Sequence, residues 1–274
     1  MPRRTPADAR RRALGQNFLH DQQVVADVLN TIHPPPSGLV VDLGAGAGAL
    51  TAAAAARGWR VLAVELDPRW AAHLRARARG WGDVTVVHGD ALAVALPAEP
   101  FAVVSSAPYG AGTAIVRRLL TDAHGLGEAA IVLQLEAARR LAGRPRSSRF
   151  AAQHAPWFAV DVGRRIAPEA FRPVPSVRSA VLRLAPRARP LLSPAAYAPY
   201  DAFLARIFAR REPTLGERLR AVAGGGAARR ALSSAGAAAG AQPSAVAPEA
   251  YARLFAALQA GGRRRQDHVR RMGA

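Results

Sequence analysis

Short apolar runs alternate with stretches of helical spacing along the first two thirds of the chain. The runs are LVVDL from residue 39, RVLAVEL from 60, VTVVH from 84, FAVVSS from 101, AAIVLQL from 129, FAVDVGRRI from 158 and SAVLRL from 179. Most are near-continuous in valine, leucine and isoleucine, the pattern of strands covered on both faces. Seven such strands with helices between them predict an α/β fold with a mostly parallel sheet. No helical pattern separates the last two runs, which are therefore expected to form an antiparallel hairpin at the sheet edge. The helix after the second run is the best marked. Asp67 stands at an N-cap, Pro68 at the first helical position, and Trp70 and Leu74 follow at helical spacing.

Beyond APRARPLLSP, residues 185 to 194, the strand pattern gives way to alanine-rich sequence that favours helix: AAYAPYDAFLARIFARR, TLGERLRAVA and APEAYARLFAAL. Residues 221 to 241, AVAGGGAARRALSSAGAAAGA, are low in complexity, and their glycines predict a loose connection. The expected organisation is a flexible basic arm (1–14), a catalytic domain (15–186), a small helical RNA-binding domain (191–260) and a basic tail (261–274).

The 274 residues carry a net charge of +19, and every basic residue is arginine. A GC-rich genome explains arginine in place of lysine but not the shortage of acids. An excess of this size attracts polyanions by counterion release, and nucleic acid is the expected partner. There is no cysteine, so thiolate metal sites, disulfides and cysteine nucleophiles are excluded. No metal is expected. The absence of a long apolar run, and of an apolar segment in MPRRTPADARRR, predicts a cytoplasmic protein without membrane contact. No exposed apolar seam is apparent, and a monomer is expected.

Candidate chemistry begins at VVDLGAGAGAL, residues 40 to 50, where a strand runs into Gly44, Gly46 and Gly48 and a helix opens. Glycines permit a tight turn and close approach of a ligand to the backbone. The G-x-G-x-G spacing differs from the dinucleotide fingerprint and disfavours a pyrophosphate; a plain tight turn is the bland alternative. Glu65 ends the second strand, where an acid can accept both ribose hydroxyls, and Asp90 follows the third in HGDAL, where it can accept from an adenine amine. Each could instead cap a helix. Together they describe a pocket for a nucleoside without phosphates, which S-adenosylmethionine fits.

With these residues in view, the chain resembles the ribosomal RNA adenine N6-dimethyltransferases, which include the erythromycin-resistance (Erm) enzymes and the small-subunit dimethyladenosine transferases. The resemblance is carried by LGQNFLHD from 14, DLGAGAGALT, VELD, GDAL, SAPYG from 106, FRPVPSVRSAV from 171 and APEAYARLF from 247, nearly the whole chain. It implies a Rossmann-like class I S-adenosylmethionine-dependent methyltransferase sheet with a small C-terminal all-helical domain. By the same resemblance Asn17 and Leu19 close over the methionine end of the cofactor and Gly44 packs against it. Glu65 holds the ribose and Asp90 the adenine, with Gly46, Leu66, Ala91 and Ser106 in the same cofactor-binding set.

The loop SAPYG suits methyl transfer to an exocyclic amine. The adenine amino lone pair is delocalised into its ring, so acceptors aimed at its N–H bonds are needed to localise it and to stabilise the charge that develops. Ser106 Oγ and a carbonyl of the Ala107-Pro108 turn are the candidate acceptors. Pro108 fixes the turn, and Tyr109 offers a face for an unstacked base. A βα turn with a buried tyrosine is the bland reading. The family usually has asparagine where this chain has Ser106. Phe171 is implied by resemblance as a second face for the base, and reads otherwise as a core phenylalanine. Arg139, Arg140, Arg144 and Arg172 are candidates to meet RNA phosphates, the default being a solvated face.

The expected reaction is methylation of N6 of one adenine in large-subunit (23S) rRNA, before full ribosome assembly, with resistance to macrolide-type antibiotics as the consequence. The alternatives are a small-subunit (16S) dimethyladenosine transferase, a DNA adenine methyltransferase, against which FRPVPSVRSAV argues, and a non-catalytic RNA-binding assembly factor.

Overall fold

All seven apolar runs become strands of one sheet. The structure, a computed structural model, describes residues 17–106, 108–122 and 124–272, with backbone only from residue 262. The arm expected at 1–14 and the Ala107 carbonyl lie outside the described residues. In chain order the strands are β1 (Phe18–Leu19), β2 (Leu39–Leu43), β3 (Arg60–Glu65), β4 (Val84–His88), β5 (Phe101–Ser105), β6 (Leu126–Gln134), β7 (Phe158–Ile166), β8 (Phe171–Arg172) and β9 (Ser179–Pro186). The sheet runs β4-β3-β2-β5-β6-β9-β7. Its first five strands are parallel to their neighbours, and β9 pairs antiparallel with β6. The two late runs are adjacent as expected, with β7 at the edge.

The strand order reverses at β2, which has β3 on one side and β5 on the other. A crevice opens at the carboxyl ends of such strands because the connections leave in opposite directions. Both β2 and β5 are buried along their whole length, which is why neither shows polar alternation. Helix α1 (Gln22–Leu29) covers the sheet with Val24, Val25, Val28 and Leu29 after an Asp21 cap. It joins Val40, Val104 and Ile166 in one core. Helix α2 (Ala49–Ala55) leaves the glycine turn, and α3 (Pro68–Ala78) begins on the predicted Asp67 cap, whose carboxylate accepts from Arg69 N. Helix α4 (Gly112–Asp122) follows the SAPYG loop and buries Ile115, Val116 and Leu119.

The chain divides into two compact units: residues through Ala138 with Val160–Pro186, and Arg139–Ala159 with residues from Arg187 onward. The boundary falls within α5 (Leu135–Leu141). The second unit holds α6 (Arg149–His154), α7 (Tyr197–Phe208), α8 (Leu215–Ala223), α9 (Gly225–Ala235) and α10 (Pro248–Met272). Thus the segment around α6, expected with the catalytic domain, packs with the helices. Tyr200 donates its hydroxyl to Ala152 O at 2.8 Å, and both residues sit in the helical core with Leu204, Leu219 and Tyr251.

One expectation is corrected in this unit. Residues 221–241 are not a loose connection, because α9 occupies 225–235 and buries Ala228, Ala231, Leu232 and Ala235 along one face. Alanine, leucine and arginine favour helix there, while Gly224 and Gly236 stand at the ends with φ of +80° and +62°. The stretch expected as a basic tail from 261 continues α10, which runs to Met272. Its arginine-rich sequence sustains helix past Gly261 and Gly262.

Candidate active site

A cleft of about 480 Å³, open to solvent, lies at the carboxyl ends of β2 and β5. Asn17, Leu19, Gly44, Gly46, Glu65, Ser106 and Pro108 all line it, so the structure gathers these sequence-predicted residues in one place.

The glycine turn is built by close approach. Gly44 N and Ala45 N both donate to Val64 O, at 2.9 and 3.0 Å, which folds the turn back on β3. Gly46 has φ +55°, and a Cβ there would stand 3.1 Å from the Phe18 ring. Gly48 has φ +85°, and a Cβ would meet Leu74 Cδ2 at 2.5 Å. Left-handed backbone therefore favours glycine at these two positions.

Glu65 is 5 % exposed and holds the turn from below. Its Oε2 accepts from Gly46 N and its Oε1 from Asp67 N, each at 2.7 Å. Burial raises its pKa, and the two N–H groups oppose that rise.

Phe18 and Leu19 form β1, which pairs antiparallel with β8: Phe18 faces Arg172 and Leu19 faces Phe171. This two-stranded strap lays Phe18 against Gly46, with its ring centroid 4.6 Å from that of Trp70. Phe171 is 1 % exposed and packs in the core with Leu19, Val25 and Ile166. This is the packing of a core phenylalanine, and Phe171 is not among the residues that line the cleft.

The two serines of FAVVSS part company. Ser105 is fully buried and donates to Leu43 O at 2.6 Å, stapling β5 to β2. Ser106 is the one that reaches the cleft. Pro108 O accepts from Ala111 N and Gly112 N, starting α4. Tyr109 is half-buried, and its hydroxyl shares a 2.8 Å hydrogen bond with Ser179 Oγ; burial raises its pKa and the Ser179 bond lowers it.

Leu66, Asp90 and Ala91 lie at the same sheet edge but not in the cleft lining. Leu66 is 50 % exposed directly after Glu65. Gly89 N donates to Glu65 O, which ties the Asp90 turn to the end of β3. Asp90 is exposed, and its Oδ1 accepts from Leu92 N at 2.8 Å.

The sequence reading did not single out the one buried acid that joins Glu65 in the cleft lining. Asp42, on β2, is 1 % exposed; its Oδ2 accepts from Thr51 Oγ1 at 2.6 Å, while its buried Oδ1 has no hydrogen-bond partner among the described residues. Burial pushes its pKa up to about 7, with Glu65 adding to the rise and the Thr51 bonds opposing it. The signal was present: an acid in the middle of an apolar run, two residues before the first glycine.

Among the arginine candidates, Arg140 and Arg144 are exposed and Arg139 is half-buried in the helical unit, and Arg172 is exposed on the strap. Among the described residues no group of three His, Asp or Glu is placed to hold a metal ion, and no helix is long and apolar enough to cross a membrane.

Comparison with known proteins bears on the whole arrangement. The family model described as ribosomal RNA adenine dimethylase matches residues 7–260. An rRNA adenine N-6-methyltransferase of Saccharopolyspora erythraea is 37 % identical over 256 residues, covering 93 % of this chain and 67 % of its own. Mycinamicin-resistance protein MyrB of Micromonospora griseorubida is 35 % identical over 205 residues, 74 % of this chain and 65 % of its own. The chain thus spans about two thirds of the length of these relatives. The crystal structure of the 23S rRNA methyltransferase ErmE superposes with a TM-score of 0.82 at 35 % identity, covering 89 % of this chain and 100 % of that one. A glycine turn, an acid on the second strand and a serine-proline loop at one cleft, on a chain matched from residue 7 to 260, make this protein a member of the ribosomal RNA adenine dimethylase family.

Proposed function

We propose that the chain transfers a methyl group from S-adenosylmethionine to N6 of one adenine in large-subunit (23S) rRNA, and so confers resistance to macrolide-type antibiotics. The observation that carries this reading is the convergence of Ser106 and Pro108 with Glu65 and the glycine turn on a single cleft. The names of the relatives support it: one is a 23S rRNA methyltransferase and one a mycinamicin-resistance protein.

The residues fit the cofactor. Gly46 has the left-handed backbone that favours glycine, and each Glu65 oxygen accepts one N–H and retains a lone pair for a ribose hydroxyl. Asp42 brings to the same cleft a buried oxygen that has no partner among the described residues. Asn17 and Leu19 close the methionine end, Leu66 and Ala91 flank the nucleoside, and Asp90 accepts from the adenine amine.

S-adenosylmethionine, when bound, supplies an electrophilic methyl carbon on a sulfonium. Ser106 Oγ accepts from the target amine and draws its lone pair out of the ring. Pro108 fixes the loop, and Tyr109 stacks on the extruded base. No strong base is needed, because the amine proton becomes acidic as the methyl group arrives. Arg139, Arg140, Arg144 and Arg172 meet RNA phosphates, on rRNA that is not yet fully assembled, and the protein works as a cytoplasmic monomer.

The test is incubation with radiolabelled S-adenosylmethionine and 23S or 16S rRNA separately, followed by mapping of the label. Label at one adenine of 23S rRNA is expected. Label on 16S rRNA alone would reassign the substrate, and RNA binding without label would make the protein an assembly factor.

A further inference from the structure

Arg117 and Arg118 are adjacent on α4, yet only Arg118 turns inward: it is half-buried and its neighbour exposed. Its Nη1 donates to Ala91 O at 2.5 Å and its Nη2 to Val94 O. These two carbonyls bracket a turn whose other bonds converge on Asp90. Ala93 N and Val94 N donate to Asp90 O at 3.0 and 2.8 Å, and Leu92 N donates to Asp90 Oδ1 at 2.8 Å. The turn is otherwise exposed at Leu92, Ala93 and Ala95, so little packing holds its shape. Among the described residues no carboxylate pairs with Arg118, and its charge serves main-chain acceptors. A planar guanidinium spans two carbonyls with two parallel-reaching N–H groups; an ammonium reaches one of them well.

We propose that Arg118 is a positioning residue for cofactor selectivity, holding the Asp90 turn to the helix that leaves the Ser106–Tyr109 loop. This rests on the reading of Asp90 as the acceptor for the cofactor's adenine amine. Nothing in the local sequence marks the residue, since its partners are backbone atoms more than twenty positions away.

The test compares binding of S-adenosylhomocysteine and S-inosylhomocysteine, whose bases differ in the 6-substituent, amino against oxo, and in the proton that the oxo base carries on N1, by titration calorimetry on the full chain. The wild type is expected to prefer the adenosine compound. Arg118→Ala is expected to lose about tenfold of that preference. Arg118→Lys should retain part of it, and Asp90→Asn should match Arg118→Ala, with no further loss in the double variant. The ratio is the decisive readout, since general loosening of the fold weakens both ligands alike. Full preference in Arg118→Ala or Arg118→Lys, beside a loss in Asp90→Asn, would overturn the role of Arg118 and leave Asp90 standing. Full preference in Asp90→Asn would overturn both. If Arg118→Ala does not fold, Arg118→Lys and Arg118→Met decide by the same ratio.

Discussion

The Tyr109 hydroxyl lies 2.8 Å from Ser179 Oγ, so the aromatic residue of the SAPYG loop is tethered to the first residue of β9. Ser179 is fully buried and has no water to replace that partner. Tyr109→Phe keeps the ring and strands the serine hydroxyl, at a cost of about 1–3 kcal/mol of stability by urea unfolding. Tyr109→Ala also removes the stacking surface, and its kcat/KM on RNA is expected to fall by a further factor corresponding to about 1–3 kcal/mol. Equal activity losses in both variants would assign the effect to the hydroxyl.

Ser106→Ala is expected to lower turnover on the order of a hundredfold while leaving the Kd for S-adenosylhomocysteine within a factor of about two. The lost acceptor acts on the transferring amine, whereas the walls that hold the cofactor stay in place. Ser106→Asn supplies a longer acceptor and is expected to retain or raise turnover. A normal rate in Ser106→Ala would remove Ser106 from the chemistry.

Glu65→Gln attacks cofactor binding without changing size. Both carboxylate oxygens now accept N–H groups, from Gly46 and Asp67. An amide turns one of those sites into a donor facing a donor. The Kd for S-adenosylhomocysteine should rise by about ten- to a hundredfold. An unchanged Kd would show that the carboxylate serves the turn and not the ligand.

Asp42 gives the fold a pH dependence of defined sign. Its pKa is pushed up to about 7 in the folded protein, against about 4 in the unfolded chain. The folded state therefore binds the proton more tightly. Its contribution to stability is full below pH 4 and is lost as pH rises through 7. Asp42→Asn keeps an acceptor for Thr51 and removes the titration. The melting temperature of the variant should gain on the wild type as pH goes from 5 to 8, and a constant difference across that range would refute the assignment.

The fold was legible because strand burial writes itself into composition. A strand with two dry faces has to be apolar throughout, so β2 and β5 could be read without any tertiary information. The cleft was legible for a related reason, since Gly46 and Gly48 occupy backbone conformations that other residues resist. What stayed hidden depends on distant partners. Nothing local distinguishes Ser105 from Ser106, because the difference is a bond to Leu43 O on another strand. The burial of Phe171 is likewise not a local property, because the residue opposite it is Leu19 on β1, more than a hundred and fifty positions away. The glycines of 221–241 misled because they cluster at the boundaries of a helix, not inside a loop.

The strap has a consequence for synthesis. Phe18 and Leu19 emerge from the ribosome before their hydrogen-bonding partners Arg172 and Phe171, which follow six strands of the main sheet and the helices α1 to α6. A nascent chain that already displays the glycine turn lacks one wall of the pocket until that late pairing forms. Such a long-range closure is slow to nucleate. The donor site is thus completed only after residue 172 has been made and has paired back on Phe18 and Leu19.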